Sequence, residues 1–196
     1  MGQPGRPRSA RARQAILDAA LALIRTDGYK SLTIEGIAAR AGVAKTTVYR
    51  SWPSKAAVVM DAIYATSGTR LAFPGTGSVR DALRHQMTRL VEVFTDPDFV
   101  GPYVGLLSEC QHDPALAQEL RRRLIAPRRA AVVELLRSGV EQGELRGDLE
   151  VEAAIDGLYG ALYYRLLVSH EPLTEPYVET IIEQALDGIG APSANA

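Results

Sequence analysis

Thr33-Ile34-Glu35-Gly36-Ile37-Ala38-Ala39-Arg40-Ala41-Gly42-Val43-Ala44-Lys45-Thr46-Thr47-Val48-Tyr49-Arg50 is the stretch that decides the fold of this chain. Thr33 has the hydroxyl of a helix N-cap, and Glu35 falls in the first turn, where the positive helix end favours an anion. Ile34, Ile37, Ala38 and Ala41 recur at helical spacing and form one apolar stripe. Gly42 follows where the chain must leave the helix, a position suited to a positive φ. A second short helix is expected from about Ala44 to Arg50. At about 100° per residue, Ala44 and Val48 share its inner side. Lys45, Thr46, Thr47, Tyr49 and Arg50 occupy the remaining arc: two cations, two hydroxyls and a phenol, with no carboxylate. Ser54 and Lys55 then open another helix. A short helix, a glycine turn and a second helix with a cationic outer face make the layout of a helix-turn-helix, whose second helix enters a DNA major groove. A plain solvated helix face is the alternative for this arc taken alone.

Upstream, Arg11 to Thr26 carries Ile16, Leu17, Ala20, Leu23 and Ile24 on one side, and Asp27-Gly28 ends the helix. Residues 1–10 contain Gly2, Pro4, Gly5, Arg6, Pro7 and Arg8 and little that a core could use, so a flexible basic arm is expected. Arg6 and Arg8 would reach a minor groove; a solubilising tail is the alternative.

Charge separates along the chain. The total is −1. Residues 1–60 hold seven Arg and three Lys against Asp18, Asp27 and Glu35, so 10 − 3 = +7. Residues 61–196 hold twelve Arg against twenty carboxylates, so 12 − 20 = −8. A basic module joined to an acidic one confines the electrostatic footprint for DNA to one end, and binding through phosphates would be salt-sensitive.

Residues 13–60 resemble the N-terminal domain of TetR-type transcriptional regulators. The matching residues are Ile16-Leu17-Asp18-Ala19-Ala20, Gly28-Tyr29, Leu32-Thr33-Ile34, Ile37-Ala38-Ala39-Arg40-Ala41-Gly42-Val43, Thr47-Val48-Tyr49 and Ser54-Lys55. The run Leu158 to Leu167 looks like the dimerisation helix of one branch. The resemblance implies an all-α homodimer, a three-helix DNA-binding domain joined to a helical dimerisation and ligand-binding domain. It implies binding to a double-stranded operator, usually as a repressor released by a small-molecule effector. Thr47, Tyr49 and Arg50 match positions that commonly touch bases or phosphates in the family. Lys45 and Thr46 are candidates for base edges, and Lys55 and Thr33 for phosphates at helix starts; for Thr33 the alternative is a cap and nothing more. Ala44 departs from the Ser often found as the recognition-helix cap, at a cost of about 1 kcal/mol. Trp52 stands where the family often has Phe and reads as core.

The domain plan is an arm (1–10), a DNA-binding domain (11–60), an effector-binding and dimerisation domain (61–190) and a tail (191–196). Gly68 to Gly77 reads as a turn-rich linker. Beyond it, helices are expected from Ser78 or Val79 to Thr95, from Asp98 to Gln111, and from Pro114 towards Gln142 with a kink or split at Pro127. Asp148 is expected to cap the next helix. Small residues Gly157, Gly160 and Ala161 with Tyr164 form its second face. A last helix from Thr174 carries Ile181, Ile182 and Ala185. These last two helices are the expected dimer interface; completing a monomer core is the alternative. Phe94, Phe99, Tyr103, Leu107, Tyr159 and Tyr163 are candidates for lining an effector cavity, although aromatics at helical spacing also serve as plain core.

Nothing in the sequence singles out an enzyme: no phosphate loop, nucleophile elbow or catalytic carboxylate pair stands out. Cys110, the one cysteine, reads as a buried apolar residue. His85, His112 and His170 lack ligand spacing, so neither metal nor cofactor is expected. No apolar run reaches membrane-spanning length, and a cytoplasmic protein without a membrane partner is expected. A dimeric regulator that needs no effector, or that activates, remains an alternative, as more remotely does a helical partner-binding scaffold.

Overall fold

In the computed structural model, residues 6–67 and 77–188 are described, and every regular element among them is helical. The chain comprises α1 (Arg6–Ser31), α2 (Ile34–Ala41), α3 (Lys45–Tyr49), α4 (Lys55–Ser67), α5 (Val79–Thr95), α6 (Pro97–Cys110), α7 (Pro114–Leu120), α8 (Ala126–Glu141), α9 (Val151–Tyr164) and α10 (Glu175–Asp187). Two π-helical turns, Arg121–Ile125 and Arg165–Ser169, follow α7 and α9. The all-α class expected from the sequence is the class observed.

Packing divides the chain into two units. The first is Met1–Thr69 with Asp96–Leu124, and the second is Arg70–Thr95 with Ile125–Ala196. The boundary expected after residue 60 differs from this: α6 packs on α1 and α4, and α7 packs on α6, so both fall in the first unit. Sequence periodicity identifies the buried face of a helix but not which domain receives it.

In the first unit, Ile16, Leu17, Ala20 and Ile24 of α1 meet Ile37 of α2, Val48 of α3 and Val58, Val59 and Ile63 of α4 in a shared core. Each of these larger side chains contributes about 1.5–3 kcal/mol by leaving water. The helix α1 begins at Arg6, five residues before the expected Arg11, so the second half of the expected flexible arm has helical backbone. Residues 1–5 lie outside those described, as do the linker residues 68–76 and the tail 191–196. Gly28 breaks α1 internally with φ 77° and ψ 160°, at the position where the sequence ends that helix.

In the second unit, α5 buries Leu83, Met87 and Leu90, α8 buries Val132 and Leu136, α9 buries Ile155, Leu158 and Leu162, and α10 buries Val178 and Ile182. The long helix after Pro114 is split near Pro127, as expected: the first π-helical turn interrupts it, and Pro127 stands in the first turn of α8, where its missing N–H costs nothing. Asp148 does not cap α9; Glu150 holds the cap position without a side-chain bond, and Asp148 pairs with Arg146 at 2.5 Å. The last helix starts where expected, and the Thr174 hydroxyl caps it by accepting from the Tyr177 N–H at 3.3 Å.

Candidate nucleic-acid interface

The turn between α2 and α3 is built by local chemistry. The Thr33 hydroxyl accepts from the Gly36 N–H at 3.0 Å, satisfying one of the free donors that begin α2. Gly42 adopts φ 66°, and the Val43 N–H reaches back to the Ala38 carbonyl at 3.0 Å. That pairing is the Schellman closure, which needs a residue tolerant of the left-handed region. The chain then restarts at once as α3.

Only Val48 of α3 is buried. Ala44, expected to face inward beside it, is exposed: with φ −68° and ψ 143° it precedes the helix and does not share its angular register. It makes no side-chain cap bond, as its methyl dictates. Lys45, Thr46, Tyr49 and Arg50 are exposed and Thr47 is half-buried, so the expected outer arc is displayed together. The arc is nevertheless not free of carboxylates. Glu35 in the first turn of α2 forms an ion pair with Lys45, and the Lys45 ammonium also lies 5.5 Å from the centre of the Tyr49 ring. The hydrogen bond between them lowers the Glu35 pKa and raises that of Lys45. Helical periodicity could not reveal this pair, because it crosses from one helix to another.

Lys55 stands at the start of α4, whose first turn is closed by the Ser54 hydroxyl accepting from the Ala57 N–H at 3.2 Å. Its ammonium does not point to open solvent. It donates to the carbonyls of Tyr29 and Lys30 at 3.3 and 3.5 Å and lies 4.8 Å from the centre of the Tyr29 ring. The residue expected to clamp a phosphate is therefore engaged with the carbonyl end of α1. Arg6 and Arg8 belong to the first turns of α1 by backbone.

Behind this face lies a set of residues that the sequence reading missed. Trp52 is buried, as expected, and its indole N–H donates to Asp61 Oδ2 at 2.8 Å. The same carboxylate accepts from Arg13 of α1 at 2.6 Å and from Arg123 of the π-helical turn. Burial raises the Asp61 pKa, but the bonds from Arg123 and Trp52 and the nearby Arg charges outweigh it and leave the pKa lowered. Towards the C-terminal end of α1, Tyr29 packs against Gly105 of α6. A Cβ built on Gly105 would stand 2.4 Å from the Cβ of Tyr29. The Tyr29 hydroxyl is buried without a hydrogen-bond partner. Its pKa is pushed up, first by burial and then by the Glu109 and Cys110 charges. No sequence spacing links these groups; only helix packing does.

The remaining candidates fall as follows. In the first unit, Phe99 and Tyr103 are buried with ring centres 5.2 Å apart, and Leu107 is half-buried. In the second, Phe94 meets Tyr163 edge-on at 5.3 Å, and the Tyr159 hydroxyl donates to Gln86 Oε1 at 2.5 Å. Burial pushes the Tyr159 pKa up. Of the dimer candidates, Gly157, Gly160, Tyr164 and Ala185 are exposed and Ala161 is half-buried. Ile181 and Ile182 differ: both are buried within the chain's own core, where the hydrophobic face of α10 packs on α5 and α9. Among the described residues no group of three or more His, Cys, Asp or Glu side chains is placed to hold a metal ion, and no helix is long and apolar enough to cross a membrane.

A capped helix, a glycine turn and a short cationic helix on a three-helix core define a DNA-binding module of the helix-turn-helix class. Comparison with known proteins specifies it further. Residues 16–62 match the family model of bacterial regulatory proteins of the tetR family, and residues 73–185 match a tetracyclin repressor-like C-terminal domain. The chain is 40% identical over 192 residues to the uncharacterized HTH-type transcriptional regulator YdeS of Bacillus subtilis, covering 97% of this chain and 96% of that one. The crystal structure of the TetR family transcription regulator SCO0332 superposes with a TM-score of 0.75 at 37% identity, over 92% of this chain and 99% of that one. The transcriptional regulator FadR from Bacillus subtilis, solved in complex with stearoyl-CoA, shares the fold with a TM-score of 0.69 at 18% identity, over 90% and 99% of the two chains. The chain belongs to the TetR family of DNA-binding transcriptional regulators.

Proposed function

We propose that the chain acts as a homodimeric repressor whose grip on its operator is loosened by a small-molecule effector. The observation that carries this reading is the surface of α9 and the turn after it. Tyr164 is 59% exposed and Val168 61%, with Leu167 beside them. Along the same helix, a Cβ added at Gly157 or Gly160 would meet nothing within 4 Å. A strip of apolar and small residues left in water favours burial against another surface. A second copy presents the same strip, and a two-fold axis makes it self-complementary. Ala161, Tyr164 and Ala185 belong to that contact, and Ile181 and Ile182 support it from the core beneath. Two recognition helices then address half-sites about one turn of DNA apart.

On each half-site, Lys45 and Thr46 meet base edges. Thr47, Tyr49, Arg50 and Thr33 set the register on phosphates, and Lys55 joins them once it leaves the α1 carbonyls. Operator occupancy excludes the transcription machinery. The effector is bound by the helical domain, where Phe94 and Tyr163 offer aromatic surface and Tyr159 with Gln86 offers a buried polar handle. The stearoyl-CoA complex of FadR supports ligand capture by this fold. An effector that moves the population from 1:99 to 99:1 must prefer the released form by about 10⁴-fold.

The test is light scattering to establish the mass in solution, with fluorescence anisotropy on the upstream intergenic duplex and on a scrambled one at two salt concentrations. Dimer mass with tight, salt-sensitive binding that prefers the upstream duplex supports the reading. A monomer, or equal affinity for both duplexes, overturns it. Unchanged binding after joint Lys45→Ala and Tyr49→Ala substitution overturns the recognition-helix assignment.

A further inference from the structure

We propose that Glu35 is a specificity-determining residue, one that reserves Lys45 for a base edge and withholds it from the phosphates of non-cognate DNA. The inference rests on the reading that α3 enters the major groove. Lys45 is the first residue of α3, and its ammonium pairs with the Glu35 carboxylate and lies 5.5 Å from the centre of the Tyr49 ring. Arg40 and Arg50, exposed nearby, carry no such carboxylate among the described residues. Lys45 is thus the cation of this face that a carboxylate holds. Both members of the pair are about half exposed, at 49% and 61%. A pair so exposed adds little to folding stability. Its larger effect is on the charge that approaching DNA meets.

A lysine ammonium has three N–H donors and no preferred plane. One donor engages Glu35; the others remain available. A guanine edge offers O6 and N7, which are neutral acceptors, so Lys45 can hold Glu35 and guanine together. A phosphate is different. It would bring a second anion against the Glu35 carboxylate, and Lys45 would have to break its pair to neutralise it. Non-specific affinity comes almost wholly from phosphate neutralisation. Glu35 therefore suppresses the non-specific mode while leaving the base contact open. Specificity is a ratio, and a repulsive element against the wrong partner raises it as surely as an attractive one for the right partner. The Tyr49 ring, 5.5 Å from the ammonium, adds a weak attraction that favours this placement of the side chain.

The test compares Glu35→Gln with the parent protein on two duplexes: one enriched from random sequence by the parent protein, and a scrambled one. Freeing Lys45 for one more phosphate steepens the log–log salt slope on the scrambled duplex by about 0.9 per subunit. At 0.1 M salt that slope corresponds to about eightfold tighter non-specific binding per subunit, since 10^0.9 is about 8. Affinity for the enriched duplex is expected to change less, so the specificity ratio falls. In a Lys45→Ala background the effect of Glu35→Gln on the ratio is expected to vanish. Equal tightening on both duplexes, no change on the scrambled one, or an undiminished effect without Lys45 would overturn the proposal. Lys45→Ala alone separates the two levels. If it weakens the enriched duplex while Glu35→Gln acts equally on both, only the role of Glu35 falls. If it leaves both duplexes unchanged, the placement of α3 in the groove falls with it.

Discussion

Asp61→Asn removes one charge from beneath three donors and is the most informative single perturbation of the DNA-binding unit. The carboxylate is 12% exposed and accepts from Arg13, Trp52 and Arg123. Arg13 is half in water, at 53%, so its pairing contributes little. Arg123 is 28% exposed and the Trp52 indole is buried, so those two bonds carry most of the effect. Hydrogen bonds to a charged acceptor are worth about 1.5–3 kcal/mol each. Asparagine keeps one oxygen but places an amide N–H₂ against a guanidinium or an indole N–H. Because both bonds share one carboxylate, their losses do not add in full, and a total near 3 kcal/mol follows. For a chain of this size that lowers Tm by roughly 6–12 °C. Thermal circular dichroism at fixed protein concentration measures it, fixed because dimerisation makes Tm concentration-dependent. Arg123→Gln serves as the partner substitution, with an expected coupling of about 1–2 kcal/mol. The sign with pH also follows. The folded pKa of Asp61 lies below its ordinary value of 3.8, so its contribution is present above that value and disappears as pH falls through the folded pKa. The gap between parent and variant should therefore close in acid. A loss below about 1 kcal/mol, which is the scale of an exposed pair, or strict additivity with Arg123→Gln, would refute the account of Asp61 as a shared anchor.

Further perturbations give outcomes of either sign. Tyr29→Phe removes a buried hydroxyl that has no partner while keeping the ring over Gly105 and under Lys55, so urea unfolding should show about 1 kcal/mol of stabilisation. Gly105→Ala forces a methyl into the Tyr29 side chain and should cost about 1–3 kcal/mol in the same assay. At Gly160 an added Cβ meets nothing within 4 Å, so Gly160→Leu should retain the parent's helicity while light scattering shows the dimer lost; a dimer that persists would move the interface off α9.

The sequence was legible where the cause is local. Thr33, Gly42 and the Ile34–Ala41 stripe give α2 and its turn because cap, left-handed exit and buried face all act within a few residues. Thr174 and Pro176 start α10 for the same reason. The inward placement of Ala44 was not legible, because it assumes a helix that already includes that residue, whereas α3 begins one residue later. Asp148 has the chemistry of a cap, yet a closer Arg146 takes its carboxylate. Glu35 with Lys45, and Asp61 with Arg123, are joined by tertiary packing across segments of no fixed spacing. The same limit explains α6 and α7: their apolar faces are plain in the sequence, but the unit that buries them is not. The outer arc of α3 was recovered nearly whole because an exposed face is defined by its own helix.

The close crossing of α1 and α6 at Tyr29 and Gly105 has a consequence for how this chain can change over generations. Any residue other than glycine at position 105 brings a Cβ to 2.4 Å from the Cβ that every residue but glycine carries at position 29, so trimming the Tyr29 ring makes no room for it. The constraint therefore lies in the approach of the two backbones and not in a pair of exchangeable side chains. Homologues that keep this crossing should keep a glycine at 105 whatever side chain stands at 29, and a larger residue at 105 should mark a lineage in which the two helices have moved apart.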